Sequence, residues 1–532
     1  MAQRRFGIGL TERLLPGTAH ETEMTMNEMA EARNGQTEPK AQRRERRGLS
    51  VPFQAMLFLW VFVFSAKGYV EVSDTALSIA TARSLVLEGN LKVERQDGYT
   101  LQGVDGNSYS KYGIGLALYY LPIVAACSCA AWMTGLSENE ATLFAISFAN
   151  IPFAMLSLWL FWKCLRTLGI TRLAARLTVW SMGFGTLMWY YAVSDFSEVM
   201  QMTFLLLATY GLLLRRGNSV LMSGIGFAAL ILVKLVHIAL LPLFLAYICV
   251  SGEGTWRKKA LELSGFMVPV FGAIGALAAL NWIRFGSPFE TGYGGEASQF
   301  FPGRIFLTAP KLLWSLDKGM FIYSPILVLG LLGWVEFCRK RFFEAIFLFL
   351  LISENLLLTA AWHSWIGGWC YGPRLLVPML PFWMIPVAFW LDASREKWRR
   401  GCFIGLTLVS ILTQLPGIVV KNQEVLQIIE NEMTPDERKY AVPNYVATLR
   451  VFWSKMCNRE GTEVYRLSEF GVPTERVIDV SQYKSYLGFN LWTEHLSRRL
   501  KKSAFRWLPL IGILPILFAL MLTNRWHPRE TE

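Results

Sequence analysis

The sequence predicts an all-α polytopic membrane protein of about twelve transmembrane helices, with a large first outer loop and a small C-terminal polar segment. Three features carry that expectation. Of the 532 residues, 53% are hydrophobic and 14% aromatic, and only 17% are charged. Apolar runs of about 20 residues recur along the chain, each long enough to cross a bilayer as a helix. The basic residues gather in short clusters between those runs, the pattern that marks cytoplasmic loops. The net charge of +12 therefore reads as membrane topology, not as nucleic-acid binding. Eight cysteines and five histidines are scattered, with no zinc spacing and no disulfide framework.

Residues 1–50 are polar and poor in aromatics, which predicts a disordered cytoplasmic segment. They end in Arg43, Arg44, Arg46 and Arg47, directly before a first span at Val51–Val70. That order argues against a cleaved signal peptide and sets the following loop outside. Clusters at Lys163/Arg166/Arg172/Arg176, Arg215/Arg216, Arg257/Lys258/Lys259, Arg339/Lys340/Arg341 and Arg395/Lys397/Arg399/Arg400 read as cytoplasmic. The turns between them, Ser194–Glu198, Lys234–His237, Phe285–Lys318 and Trp362–Arg374, then face outward and hold nearly all the unusual polar residues. Two points resist this map. Apolar segments at 113–133 and 141–163 lie where one net crossing is needed, so one of them is expected to be re-entrant or tilted. The cluster Arg498/Arg499/Lys501/Lys502 precedes a final span, Trp507–Thr523, on the side assigned as outer.

The outer loop Val72–Gly115 is where chemistry is expected. Asp74 lies just past the first span, and Lys111 lies just before the chain turns apolar again. Two hydrophobic anchors thus return a carboxylate and an ammonium to one membrane surface, where ionisable groups are costly and mark function. An ordinary solvated loop is the alternative.

At Tyr109–Pro122 the chain reads Tyr-Ser-Lys-Tyr-Gly-Ile-Gly-Leu-Ala-Leu-Tyr-Tyr-Leu-Pro. This resembles the entry to the second span of the GT-C glycosyltransferases. Those polyprenyl-phosphate-sugar enzymes include protein O-mannosyltransferases and lipid A aminoarabinose transferases. The context of Asp74 resembles their acidic motif followed by a loop helix. Further resemblances lie at Asn281–Gly294, Lys318–Pro325 and Trp365–Arg374, and the ordered set covers residues 51–420. Many members carry two acidic residues in the first motif, but here Thr75 follows Asp74. That departure weighs against a metal-assisted variant; no metal ligand is assigned, and a divalent cation stays an open alternative.

Transfer from a lipid-phosphate sugar needs a base for the acceptor proton and cations for the departing phosphate. Asp74 is the candidate base. Lys111, Arg374 and Lys234 are the candidate phosphate ligands, Arg374 being suited to bidentate contact. The resemblance implies that Asp195, a second catalytic acid, pairs with Lys111. For Asp195 and Glu198 a helix N-cap remains open, and for Lys234 a snorkelling side chain. Tyr109, Glu198, Glu290, Lys318, His363, Trp369 and Tyr371 are expected in the substrate cleft. Solvated loop charges (Glu290, Lys318) and an interfacial aromatic belt (His363 and its tryptophans) are the alternatives.

Four regions are thus expected: a disordered segment 1–50, a GT-C-like catalytic domain 51–420, a polar outer-face segment 421–505, and a final helix with its tail, 506–532. Within the polar segment Gln423–Glu432 and Tyr483–Leu500 read as helical, and an oxidising compartment would allow a Cys370–Cys457 bridge. The expectation is a glycosyltransferase of a bacterial inner membrane, acting at the outer face on a polyprenyl-phosphate sugar and an unassigned acceptor. The alternative is a transporter or flippase of a lipid-linked substrate, for which internal repeats and mid-bilayer helix breaks would be expected.

Overall fold

The computed structural model describes residues 51–135, 137–214, 218–251, 255–393, 396–421, 431, 433–434, 436–457, 464–474, 476–479 and 489–499. The expectations for residues 1–50 and for the span Trp507–Thr523 lie outside these residues. The first helix, α1, covers Val51–Ser65 and is followed, after linker 66–72, by α2 (Ser73–Leu87). Asp74 lies in the first turn of α2, where the helix dipole favours a carboxylate. A short antiparallel hairpin follows, β1 (Thr100–Gln102) with β2 (Ser108–Ser110), pairing Thr100 with Ser110. It delivers Lys111 to the start of α3 (Ile114–Thr134).

The next two apolar segments resolve the parity problem. Helix α3 turns back through Gly135, whose positive φ caps it, into the short α4 (Glu138–Ile146). The chain breaks at 147–149 and continues as α5 (Asn150–Thr167). Gly113 abuts the carbonyls of Leu232 and Val233, and the Asn150 amide donates to Ser194 O and Phe196 O at 2.6 Å. The α3–α4 hairpin therefore leaves from and returns to the level of the 193–197 link. Only α5 carries the chain to the Lys163/Arg166 end.

Helices α6 (Arg172–Gly185), α7 (Met188–Ala192), α8 (Glu198–Leu214) and α9 (Ser219–Val233) come next. A turn of 3-10 helix, Leu235–Leu240, leads to α10 (Leu241–Ser251), and α11 (Trp256–Phe285) follows. Small residues let these helices touch backbone to backbone. A Cβ on Gly224 would lie 2.3 Å from Phe266 O, and one on Gly211 2.5 Å from Ser219 O. Helices α12 (Ile305–Trp314), α13 (Met320–Tyr323), α14 (Val328–Lys340) and α15 (Phe342–Ala361) lead to another six-residue 3-10 turn, Arg374–Met379. After it come α16 (Leu380–Asp392) and α17 (Lys397–Val419).

Among the described residues six helical segments are long and apolar enough to cross a bilayer, and four more are apolar but shorter. The expectation of about twelve is not reached on length alone, because crossing elements are interrupted, as at Lys234. Among the described residues, the Gly169–Thr171, Arg341 and Asp392 turns lie together at the end away from the Asp74 turns. Arg341 lies 3.8 Å from the Cβ position of Gly169, and Thr171 binds Asp392, far from Asp74 and its neighbours.

Beyond α17, helix α18 (Asn444–Cys457), a hairpin of β3 (Val464–Arg466) with β4 (Val477–Asp479), and α19 (Trp492–Arg499) are described. Val420, Met433, Ala447, Val451, Leu467, Phe470 and Val472 form a small separate core. Helix α18 had no distinct sequence signal; of the expected Tyr483–Leu500 helix the described part, Trp492–Arg499, is helical, while 483–488, 500 and 422–430 lie outside the described residues. This segment packs at the Asp74 end: Trp492 N donates to Ala66 O at 2.9 Å, Tyr69 OH to Asn490 at 2.7 Å, and Tyr445 meets the Tyr323 ring edge-on.

Candidate functional site

A cavity of about 380 Å³ opens between α2, the Lys111 strand end, the Lys234 break, α11 and the 291–300 loop. Its polar wall carries Asp74, Lys111, Tyr112, Lys234 and Tyr293, and its apolar wall includes Ile231, Leu235, Ile238, Leu277 and Leu358. The break at Lys234 lines it, and the turn at Arg374 stands behind Asp74, outside the lining. Unwound backbone at membrane depth is tolerated where it lines a cavity, and here it sets Lys234 beside Glu198, which Arg374 shares with Asp74.

Arg374 is the hub. Its Nη2 lies 3.6 Å from Asp74 Oδ2, and its Nε lies 3.8 Å from Glu198 Oε1. Lys234 Nζ stands 4.0 Å from the same Glu198 oxygen. The guanidinium covers the Phe196 ring at 5.0 Å. These separations are ion pairs but exceed hydrogen-bond lengths. Arg374 Nε and Glu198 Oε2 are buried without a hydrogen-bond partner among the described residues. The cluster thus brings Asp74, Glu198, Lys234 and Arg374 together from four separate elements while leaving donor capacity unspent.

Lys111 is placed differently from expectation. Its ammonium donates to Glu296, 2.9 Å from Oε2, and to Gly98 O at 2.5 Å, inside a ring of Tyr99, Tyr112 and Tyr293 at 5.5–5.9 Å. Asp195 does not meet it. Asp195 Oδ2 instead accepts the backbone N–H groups of Glu71 at 3.1 Å and Val72 at 2.9 Å. The physical reason is that the hairpin sends Lys111 toward the 291–300 loop, whereas the 193–197 link packs under linker 66–72. Burial pushes the Asp195 carboxyl, which lies in a link outside the spans, up to about 6, against the pull of Lys67. Burial, and then the charge of Asp74, holds the Tyr112 phenol above its ordinary range.

Several expected cleft residues lie elsewhere. Lys318 is fully buried and donates to Gly368 O at 3.0 Å and Cys370 O at 2.8 Å, tying down the glycine-rich loop. Cys370 is buried beside it and Cys457 is exposed, and both are free thiols, so the bridge is not formed. Tyr371 is a core side chain bonded to Thr413 O and packed on Tyr323. Tyr109 donates to Asp105 at 2.9 Å and packs edge-on to Phe285. Glu290 accepts the N–H of Gly292 at 2.9 Å within its own loop. His363 stacks on Trp362, which itself lines the cavity, and Trp369 is half-exposed away from that wall. The sequence reading missed Tyr112, Tyr293, Glu296, Asn281 and Arg284. Tyr112, next to Lys111, and Arg284, in the Asn281–Gly294 motif, had a signal; Glu296 had none to set it apart from Glu290.

Among the described residues, the side chains around the cavity do not fit a resident divalent cation. Asp74 and Glu198 are both turned to Arg374, and no group of three His, Cys, Asp or Glu side chains gathers among the described residues.

No family model matches the chain, and no curated protein matches it. Among solved structures it is similar to ArnT from Cupriavidus metallidurans in the apo state, with 16% identity and a TM-score of 0.49, over 76% of this chain and 68% of that one. It is also similar to the oligosaccharyltransferase of Archaeoglobus fulgidus in the apo form, with 12% identity and a TM-score of 0.47. That match covers 73% of this chain and 58% of the archaeal one, so the chain spans less than two thirds of its length.

Proposed function

We propose that the chain is an integral-membrane glycosyltransferase that moves a sugar from a polyprenyl-phosphate donor to an acceptor at the outer face of the membrane. One observation carries the reading: Asp74 meets the under-bonded Arg374, with Lys234 on the same Glu198, beside a cavity whose other wall is apolar. An anionic phosphate on an apolar chain matches both walls. The ordered motifs from Asp74 to Arg374 support the same reaction class.

The chemistry follows from the groups. Asp74 takes the proton of the acceptor hydroxyl or amine as that atom bonds to the anomeric carbon. The bond from that carbon to the phosphate oxygen breaks, and its electron pair leaves on the phosphate. Arg374 and Lys234 offset the charge that builds there. Lys111, held by Glu296, lines the same cavity with its charge already paired.

The test is Asp74→Asn, purified in nanodiscs and given a radiolabelled polyprenyl-phosphate sugar. Donor binding is expected to persist while transfer falls by roughly 10²–10⁴-fold, the range for a lost general base. Wild-type transfer by the variant would remove Asp74 from the chemistry. Wild-type protein that moves the labelled lipid between leaflets of a liposome and transfers no sugar would replace this reading with transport.

A further inference from the structure

Behind the cavity lies a second set of buried charges that the proposed chemistry does not use. Linker 66–72 carries Lys67 and Glu71, whose side chains are each 3% exposed and joined as an ion pair. The Lys67 ammonium sits 5.1 Å from the centre of the Tyr190 ring. Neither residue lines the cavity. Asp195 meets the linker through the two backbone bonds to Glu71 and Val72, and its own carbonyl accepts the Thr75 hydroxyl at 2.5 Å.

Val72 is the residue that starts α2, and its side chain offers no cap. The N–H of this cap residue is one of the helix's unpaired donors; Asp195 accepts it, with that of Glu71 before it, and so places a carboxylate at the positive end of the helix. Asn150 holds the Asp195 link from below through the Ser194 and Phe196 carbonyls. Asp74 comes two residues after Val72, yet its nearest cation is 3.6 Å away, too far to hold it by a hydrogen bond. The Tyr112 phenol bonds the carboxylate at its tip, so the place of its Cα is set by the backbone at the start of α2 and not by that ion pair.

We propose that Lys67, Glu71 and Asp195 are positioning residues that fix the start of α2, and with it the Asp74 carboxylate, against Arg374. The proposal rests on the reading of Asp74 as the base. Two carboxylates buried side by side repel each other and are poorly solvated, and Lys67 offsets both. The groups facing Asp195 are Lys67 and Glu71 from the linker, Tyr190 from α7 and Tyr120 from α3. As pH falls through about 6, Asp195 takes up a proton and its bonds to Glu71 and Val72 lose their charge assistance.

Two measurements on Asp195→Ala, Asp195→Asn and wild type in nanodiscs decide the matter. The first is amide hydrogen exchange at Glu71 and Val72, which is read without any activity. Asp195→Ala is expected to speed it by about tenfold or more, and Asp195→Asn, whose amide oxygen still accepts, by less. Unchanged exchange overturns the proposal. The second is sugar transfer. In Asp195→Ala, kcat is expected to fall by about 10–100-fold, the cost of a misplacement on the order of 1 Å, with donor KM within about twofold. The acid limb near pH 6 is expected to flatten in Asp195→Asn. A loss confined to KM, or an acid limb unmoved in Asp195→Asn, also overturns it. If Asp195→Ala cannot be purified, Lys67→Met and Lys67→Met/Glu71→Gln take its place. The double variant removes one of the two carboxylates that Lys67 offset, and with it their mutual repulsion, so it is expected to recover part of kcat, and no recovery counts against the proposal. Normal transfer by Asp74→Asn would defeat the base reading and leave the exchange result standing.

Discussion

Lys318, which reaches the glycine-rich loop from the turn before α13, and Arg374, which ends that loop, are treated in opposite ways. Lys318 is wholly buried and finds the carbonyls of Gly368 and Cys370 at 3.0 and 2.8 Å. Arg374 sits between two carboxylates at 3.6 and 3.8 Å, and its Nε has no hydrogen-bond partner among the described residues. A buried ammonium with good acceptors has spent its hydrogen-bonding capacity and holds structure. A guanidinium in ion-pair range only keeps that capacity for something that binds later. One loop is held by a staple from outside and ends in a grip.

The largest expected effect breaks the grip. Arg374→Ala is expected to weaken binding of the polyprenyl-phosphate sugar by about 10²-fold, since charge-assisted contacts contribute about 1.5–3 kcal/mol each. Equilibrium binding in nanodiscs measures it. Arg374→Lys is expected to recover little, because an ammonium cannot reproduce the planar fork. Wild-type affinity in Arg374→Ala would dissolve the contrast with Lys318.

The next effect, on stability, breaks the staple. Lys318→Met leaves the Gly368 and Cys370 carbonyls without their donor, which is expected to cost about 1–3 kcal/mol. It would appear as a lowered thermal midpoint in detergent, with donor affinity changed far less than in Arg374→Ala. A variant of normal stability and lost affinity would reverse the roles assigned to the two cations.

That contrast also marks how far the sequence could be read. Asp74, Lys111, Lys234 and Arg374 were legible because each is a charge set against an apolar run, where it is costly. The level of each residue along the bundle follows from such runs, and the polar turns do meet at one end. Position around the bundle does not follow. Lys111 and Asp195 share a level, yet a hairpin sends one toward Glu296 while the 193–197 link sends the other to Glu71 and Val72. Lys318 and Glu290 looked like cleft charges for the same reason, and their acceptors and donors are backbone groups that side-chain patterns do not reveal. The break at 147–149 was hidden inside a continuous apolar stretch, so a hairpin and a span read as two competing spans.

The smallest expected effect isolates how the loop aims the grip. Gly367 and Gly368 both hold a positive φ, +72° and +80°, which an L side chain adopts only with strain. Their surroundings differ. A Cβ on Gly367 would stand 2.9 Å from Arg374 Cγ and 3.3 Å from its Nε, whereas one on Gly368 would meet nothing within 4 Å. Gly368→Ala therefore carries the backbone strain alone, about 1–2 kcal/mol of stability. Gly367→Ala carries the same strain and also pushes the Arg374 side chain, which is flexible enough to yield. Stability should fall alike in the two variants, while donor affinity falls by a further threefold or so only in Gly367→Ala, the scale of about 0.6 kcal/mol for a shifted charge-assisted contact. Thermal midpoints and donor binding of the two proteins, measured side by side, test this. Equal affinities in the pair would mean that Arg374 is not held in its binding position by the bare Gly367 backbone.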